Sequence, residues 1–397
     1  MTPLLLGRFT ATSCLGAGLG PTQAALRATR SGLRPCAFET VTLETCVGEV
    51  PGVEVTALPA DLRRFECRNN RLAELGLAQD DFGEAVRECI ARHGARRIGL
   101  FLGTSTSGML STELAYRRRD ASTGALPPDF DYAATHNSYS LAEFVRRRLG
   151  IDGPRAVVST ACSSSAKVFG SAARMIETGL IDAAVVGGVD SLCLTTLYGF
   201  HSLQLVSRLP CKPFDLARDG ISIGEAAAFA LLERVPESLD PERILLTGIG
   251  ESSDAYHMSS PHPEGRGARA AMQQALAAAG LLTSDIDYIN LHGTGTPSND
   301  SAEGHAVSGL FGASVRASST KGATGHTLGA AGALEAVICA LALEQGLLPG
   351  GAGLERLDPE VAFEYVRRTA ESRPRRALSN SFGFGGSNCS LVLERAR

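Results

Sequence analysis

Short apolar runs alternate with alanine-rich stretches along this chain. Residues 97–102, 156–158, 183–186 and 286–291 are rich in Val, Ile, Leu and Ala, with no strict polar alternation. That is the pattern of strands covered on both faces. Residues 166–175 and 268–279 carry small and apolar side chains at helical spacing. The alternation predicts an α/β fold in which sheets lie between helices. The 44 glycines fall mostly at strand–helix junctions, as at 187–188, 322–332 and 383–386.

A faint repeat refines this expectation. Ser159-Thr160 opens a turn before a small-residue helix, and Ser319-Thr320 does the same 160 positions later. The run from Phe229 (Phe-Ala-Leu-Leu-Glu-Arg) is echoed from Ser390 (Ser-Leu-Val-Leu-Glu-Arg), offset by 161. Two similar offsets imply a duplicated α/β unit of about 160 residues. The acidic turn at 236–241 is the most linker-like stretch, so the halves are expected at 1–238 and 239–397.

Composition narrows the class. A hydrophobic content of 44%, 20% charged residues and a net charge of −4 describe a globular protein with no basic excess for nucleic acid. No run reaches 18 uninterrupted apolar residues, so no membrane-spanning helix is expected. The apolar opening, residues 1–6, is short and lacks a basic flank, unlike a signal peptide. Ten scattered cysteines with no C-x-x-C pair read as reduced thiols of a cytoplasmic protein, not as disulfides or a zinc site. Arginine dominates the basic residues; the lysines are Lys167, Lys212 and Lys321.

The chemistry-bearing residues sit at turns. Cys162 follows the run 156–158 and precedes a helix, where helix-end amides and the dipole lower a thiol pKa. His292 leaves the strand-like 286–291 into a glycine-rich loop, Asn290-Leu-His-Gly-Thr-Gly-Thr-Pro. His326 lies in a second such turn, five residues after Lys321. A site between two halves would draw the cysteine from the first half and its partners from the second.

These residues belong to longer motifs. Thr160-Ala-Cys-Ser-Ser-Ser, Lys212-Pro-Phe-Asp-Leu-Ala-Arg-Asp-Gly with Gly224-Glu225, Ser253-Asp-Ala-Tyr-His-Met, His292-Gly-Thr-Gly-Thr-Pro, Lys321-Gly-Ala-Thr-Gly-His and Asn380-Ser-Phe-Gly-Phe-Gly-Gly-Ser-Asn follow one another in order. In order and spacing the chain resembles the elongating β-ketoacyl-acyl-carrier-protein synthases of fatty-acid and polyketide synthesis. The resemblance implies the thiolase fold, a five-layered α-β-α-β-α arrangement of two similar halves, as a homodimer or as a heterodimer with a related subunit. It implies that Cys162 takes an acyl group from an acyl carrier protein and condenses it with a malonyl thioester, with loss of carbon dioxide. No cofactor or metal is implied beyond the pantetheine arm of the carrier.

Roles follow from the same resemblance. His292 and His326 would donate N–H bonds to the malonyl thioester oxygen, with Lys321 holding His326 and the local field. Glu303 is expected to pair with Lys321, because a buried lysine without a partner tends to lose its proton. The backbone amides of Cys162 and Phe384 would form a second oxyanion hole, and Phe382-Gly383-Phe384 a gate. Thr294 and Thr296 would contact the pantetheine arm, with Ser163 and Thr106 also among the substrate contacts. Arg63, Arg64, Arg68 and Lys212 are expected to meet the acidic carrier. Thr106 stands where the family caps the acyl channel with glycine or an aliphatic residue, and residues 134–139 are polar. Unpaired polar groups are costly to bury, so the departure points to an unsaturated, aromatic or otherwise modified acyl chain, as in polyene synthesis. The alternative is a chain-length-determining subunit, which usually lacks the nucleophile that Cys162 supplies here.

Overall fold

The computed structural model describes residues 1–396. The main sheet has twelve strands, six from each half. The five longest of the first half are β1 (Leu4–Ser13), β2 (Ile98–Gly103), β3 (Arg155–Val158), β4 (Ala183–Asp190) and β5 (Ala226–Arg234), and those of the second are β6 (Ile244–Ser253), β7 (Tyr288–Asn290), β8 (Arg316–Ser318), β9 (Arg376–Gly383) and β10 (Ser387–Arg395). Their spatial orders are β1-β5-β4-β2-β3 and β6-β10-β9-β7-β8. In each half the first two pairings are antiparallel and the last two parallel. The duplication read from the sequence is therefore a duplication of topology. Phe229 and Ser390 lie on the equivalent strands β5 and β10, and the two Ser-Thr turns follow the equivalent strands β3 and β8. The halves meet where Leu4 and Leu5 of β1 pair with Leu246 and Leu245 of β6, and the connection 235–243 runs over the surface.

Helices complete five layers. The first-half helices α1 (Arg68–Leu77), α2 (Phe82–His93) and α3 (Tyr139–Leu149) cover one outer face, burying Leu72, Phe82, Val86, Phe144 and Val145. On the other outer face α6 (Arg266–Ala279) and α7 (Pro297–Phe311) pack through Ala271, Met272, Ala306 and Val307. Between the sheets lie α4 (Ser164–Glu177) and α9 (Ala331–Gln345). The helix α5 (Leu194–Ser202) lies in a smaller apolar cluster beside the cleft, and α8 (Lys321–Thr324) is a single turn before His326. The segment Leu328–Gln345 is apolar enough over 18 residues to suit a bilayer. Its position explains that composition: thirteen of the fifteen α9 residues are buried, so it touches protein on every side.

Close packing of the central helices depends on glycine. A Cβ on Gly332 would lie 2.6 Å from the backbone nitrogen of Ala166 and 2.7 Å from its Cβ, so α4 and α9 cross nearly backbone to backbone. Ser165 Oγ accepts from the N–H of Ala333 at 2.8 Å, satisfying a donor that the start of α9 would otherwise leave unpaired. One expectation is corrected: β3 is half-exposed, not buried. It is the outermost strand of its half, paired only with β2, and apolar composition alone does not separate an edge strand from a central one. Gly332→Val is expected to overpack this crossing and cost about 1–3 kcal/mol or more of stability. Thermal unfolding checks this, and an unchanged midpoint would mean the crossing relaxes freely.

Candidate active site

The nucleophile turn is built by strain and by serines. Ala161, a non-glycine residue, sits in the left-handed region at φ 51°. Ser163 Oγ donates to the Thr160 carbonyl at 3.0 Å, and the Thr160 N–H donates to Ser164 Oγ at 2.9 Å. These bonds hold the loop between β3 and α4 and leave Cys162 facing inward, 5% exposed. From the other side Gly383 closes in: a Cβ there would stand 2.7 Å from the Thr160 carbonyl oxygen. The N–H of Phe384, next in chain, is directed at the Cys162 sulfur.

His326 arrives from the second half and is held by the first. Its N–H donates to the Ser222 carbonyl at 2.7 Å, and its carbonyl accepts from Gly224 at 3.0 Å. Its Nε2 lies 3.0 Å from Cys162 Sγ, while Nδ1 is buried without a partner among the described residues. The His292 ring stands nearly perpendicular to it, centroids 5.4 Å apart, with the Phe382 ring 5.8 Å behind. The completely buried Lys321 ties the group together. Its Nζ donates to the His292 carbonyl at 2.6 Å, reaches His292 Nδ1 at 3.3 Å, and forms an ion pair with Glu335. An ammonium has only protons to offer, so His292 Nδ1 must accept and Nε2 must carry the hydrogen.

Glu335, not Glu303, is thus the partner of Lys321. Glu303 instead accepts from the N–H groups of His292 at 2.8 Å and Gly293 at 2.7 Å, and from Asn380 Nδ2 at 3.1 Å. It fixes the histidine's backbone, not the lysine's charge. Glu335 was legible in principle, as the lone charge within the apolar run 328–343.

The electrostatics are dominated by burial. Desolvation, then the Lys321 charge, holds His326 far below the ordinary histidine range; His292 is held down in the same way, with His326 adding. Both rings are neutral near pH 7. Burial also pushes Glu335 up to about 7 against the pull of Lys321, and Glu303 up to about 7 against its N–H donors. For Cys162 the expectation from the helix terminus is reversed. Burial raises the thiol to about 11, with Asp190 adding, although Lys321 and the Phe384 N–H pull it down.

The site opens into a narrow cavity of about 50 Å³ that continues to solvent. Thr294 and Thr296 line it, their hydroxyls 2.9 Å apart, with Asp254, Ser259, Asn299 and Asn388 supplying further polar groups. Phe200 and Phe384 face each other across it at 5.6 Å. Thr106 does not line it. Its hydroxyl is bonded to Asp190 at 3.0 Å, and that buried carboxylate also accepts from Thr104, Ser105 and Gly329, so Thr106 ties the β2 loop down. Ser163 is buried in the turn. Among the basic residues Arg63 and Arg64 are exposed, Arg64 pairing with Asp131 at 2.7 Å. Arg68 is corrected: it is 2% exposed and forks onto Glu225, so it offers nothing to a carrier. Lys212 is largely covered and lies near Asp215 and Glu355.

A cysteine against one neutral histidine, a second histidine held as an Nε2–H donor, and a thiol-facing backbone N–H define a centre for acyl transfer through a thioester. The family models agree: residues 61–238 match the β-ketoacyl synthase N-terminal domain and residues 244–355 its C-terminal domain. The chain is 37% identical over 313 residues to 3-oxoacyl-[acyl-carrier-protein] synthase 2 of Rhizobium meliloti (strain 1021), covering 75% of this chain and 74% of the relative. Among solved structures it is similar to the ketosynthase ApeO, determined in complex with its chain length factor ApeC from Xenorhabdus doucetiae, at 39% identity and TM-score 0.89, covering 100% of this chain and 98% of that one. It is also similar to the ishigamide ketosynthase/chain length factor, at 27% identity and TM-score 0.90, covering both chains fully. This chain belongs to the β-ketoacyl synthase family and has its thiolase fold, and the family is one of condensing acyltransferases.

The reversed thiol shift has a direct consequence. Alkylation of Cys162 by iodoacetamide is expected to keep accelerating from about pH 7 to 10 without a plateau near neutrality. Lys321→Met removes a charge that lowers the thiol pKa and is expected to slow alkylation further at each pH. A plateau below about pH 8 in the wild type would show that the helix terminus outweighs burial.

Proposed function

We propose that this protein condenses an acyl group carried on Cys162 with a malonyl-acyl-carrier-protein, giving a 3-oxoacyl carrier two carbons longer. The observation that carries this reading is the Cys162–His326–His292–Lys321 arrangement. In the first stage Cys162 Sγ attacks the thioester of an acyl carrier. The bond to the carrier sulfur breaks and the carrier leaves as a thiol, so the Cys162 proton is conserved. The N–H groups of Phe384 and Cys162 are assigned here to the carbonyl oxygen as it gains charge, a reading supported by the Phe384 N–H being directed at the sulfur. In the second stage the malonyl thioester loses carbon dioxide and its oxygen becomes enolate-like; the α-carbon then attacks the acyl-Cys162 carbonyl, the bond to Cys162 Sγ breaks, and the released thiolate takes a proton from solvent. His292 Nε2–H, its tautomer set by Lys321, and His326 Nε2 are the donors for that oxygen. Neutral rings suit this task, because an imidazolium would hand over its proton and quench the carbanion.

The polar hydroxyls and amides along the cavity fit a pantetheine arm, and no cofactor of the protein's own enters the reaction. For partners we propose the acyl carrier protein, met in part by Arg63 and Arg64, and a second subunit of related fold. Likeness along the whole chain to a ketosynthase solved with its chain length factor supports a heterodimer over a homodimer. The polar stretch 134–139 is our ground for proposing a specialised polyketide or polyene chain as substrate, and the scattered cysteines are our ground for a cytoplasmic setting. The alternative, that this chain is itself the measuring subunit, is disfavoured by the complete catalytic set.

Intact-protein mass after incubation with acyl carriers of varied length and unsaturation tests the reading. An adduct is expected on the wild type and not on Cys162→Ala. His292→Ala is expected to load normally yet lose about 10²–10³ in malonyl decarboxylation. No adduct with any chain, alone or with the related subunit, would overturn the reading, and native mass of the purified complex distinguishes homodimer from heterodimer.

A further inference from the structure

Away from the active site, three chemically different ligating groups converge between α2 and β5. Cys89 and His93 are four residues apart on α2 and so share one helix face. Glu233 reaches them from β5. One ligating atom from each residue lies within 4.8 Å of the others. The backbone makes room for this. The β1–β5 register slips between Leu6 and Arg8, and the bulged residue is Gly7. A Cβ on Gly7 would lie 2.2 Å from Glu233 Oε2, so the carboxylate occupies the space that any other side chain at 7 would fill. Arg92, half-exposed, bonds the other oxygen, Oε1, and its guanidinium also reaches the Cys89 sulfur, so in this structure a cationic side chain stands where the three groups converge.

We propose that Cys89, His93 and Glu233 bind a thiophilic divalent cation, zinc by its donor set, that ties α2 to β5. The donors are one sulfur, one imidazole nitrogen and one carboxylate oxygen, with two of them at helical i, i+4 spacing. Tetrahedral zinc separates such donors by roughly 3.3–3.8 Å, so modest rotamer adjustments close the set. Cys89 is fully buried, while His93 is about one-third exposed and Glu233 slightly exposed, which leaves a solvent-side position for water. Burial, with Glu233 adding, pushes the Cys89 thiol up to about 12, so binding must release its proton to solvent: S–H becomes S⁻ and one metal–sulfur bond forms. The thiolate and Glu233 together offset the two charges of the cation, so the half-exposed Arg92 side chain must turn out to solvent as the cation takes its place. Arg97 is already neutralised by Asp182, whose Oδ2 lies 4.0 Å from His93 Nδ1.

Donor atoms of Cys162, His292 and His326 also converge, so the test uses the Cys162→Ala background. Chelator-treated protein is titrated with Co²⁺ as the spectroscopic probe, then with Zn²⁺ in competition. One equivalent of Co²⁺ with a thiolate-to-cobalt charge-transfer band is expected, displaced by Zn²⁺. The band should vanish with Cys89→Ser, and His93→Gln should weaken Co²⁺ and Zn²⁺ binding by about tenfold or more. With Cys162 intact, His93→Gln is expected to load acyl groups at the wild-type rate. Because Cys89 is packed in the interior, His93→Gln, at a partly exposed position, keeps the test independent of any folding defect. Absence of the band in Cys162→Ala, or its persistence in both further variants, overturns the proposal.

Discussion

The catalytic geometry depends on one buried charge. Lys321 is completely enclosed, and an isolated ammonium there would be strongly unfavourable. Glu335 makes its burial tolerable, and Glu335 can be where it is only because α9 runs between the two sheets. The same lysine protons then reach the backbone and ring of His292, so one cation fixes a tautomer, a loop and the local field. Removing either partner would leave an uncompensated charge at the centre of the molecule, which typically costs about 3–5 kcal/mol. The catalytic centre and the central layer are therefore coupled: the Gly332–Ala166 crossing that sets the depth of α9 also sets the height of Glu335 beneath the lysine.

The duplicated topology explains why the site draws on both halves. Equivalent strands β3 and β8 each end in a Ser-Thr turn, and each turn delivers reactive chemistry, Cys162 from one and Lys321 with His326 from the other. Neither half completes a centre alone. The bonds of His326 to Ser222 and Gly224 show how directly the halves lock, since a second-half histidine is clamped by first-half backbone.

Much of this was legible in the sequence, and the failures have physical causes. The α/β alternation, the repeat and the turns at Cys162, His292 and His326 could be read because apolar periodicity and glycine placement are local signals. Glu303 was assigned to Lys321 by proximity to His292 along the chain, yet its two oxygens go to backbone N–H groups, a need that side-chain patterns do not reveal. Glu335 lies fourteen residues from its partner, across a helix junction. Arg68 looked like a surface charge because nothing local announces that Glu225, 157 positions away, neutralises it in the interior. Thr106 is expected at the channel because it stands where the family caps it, but its hydroxyl is consumed by Asp190.

The most instructive reversal is the thiol. A helix terminus favours a thiolate, but Cys162 is 5% exposed, and desolvation of the charged form exceeds what the terminus, Lys321 and the Phe384 N–H return. A neutral resting thiol is no obstacle to the chemistry. Acyl transfer from carrier to enzyme exchanges one thioester for another, and the proton lost by Cys162 is needed by the departing carrier sulfur. In the Nε2–H tautomer that the decarboxylation requires, His326 stands 3.0 Å from the sulfur as a donor and not as a base. Burial and Lys321 both disfavour an imidazolium, so the thiol proton goes to the departing carrier sulfur without resting on this ring. His326 thus stays neutral from the first stage to the second. A thiolate of higher basicity, once formed beside its acceptor carbonyl, is also intrinsically the stronger nucleophile. Burial that raises the thiol pKa therefore works with the acyl transfer, and the same burial keeps both histidines neutral for the step that follows.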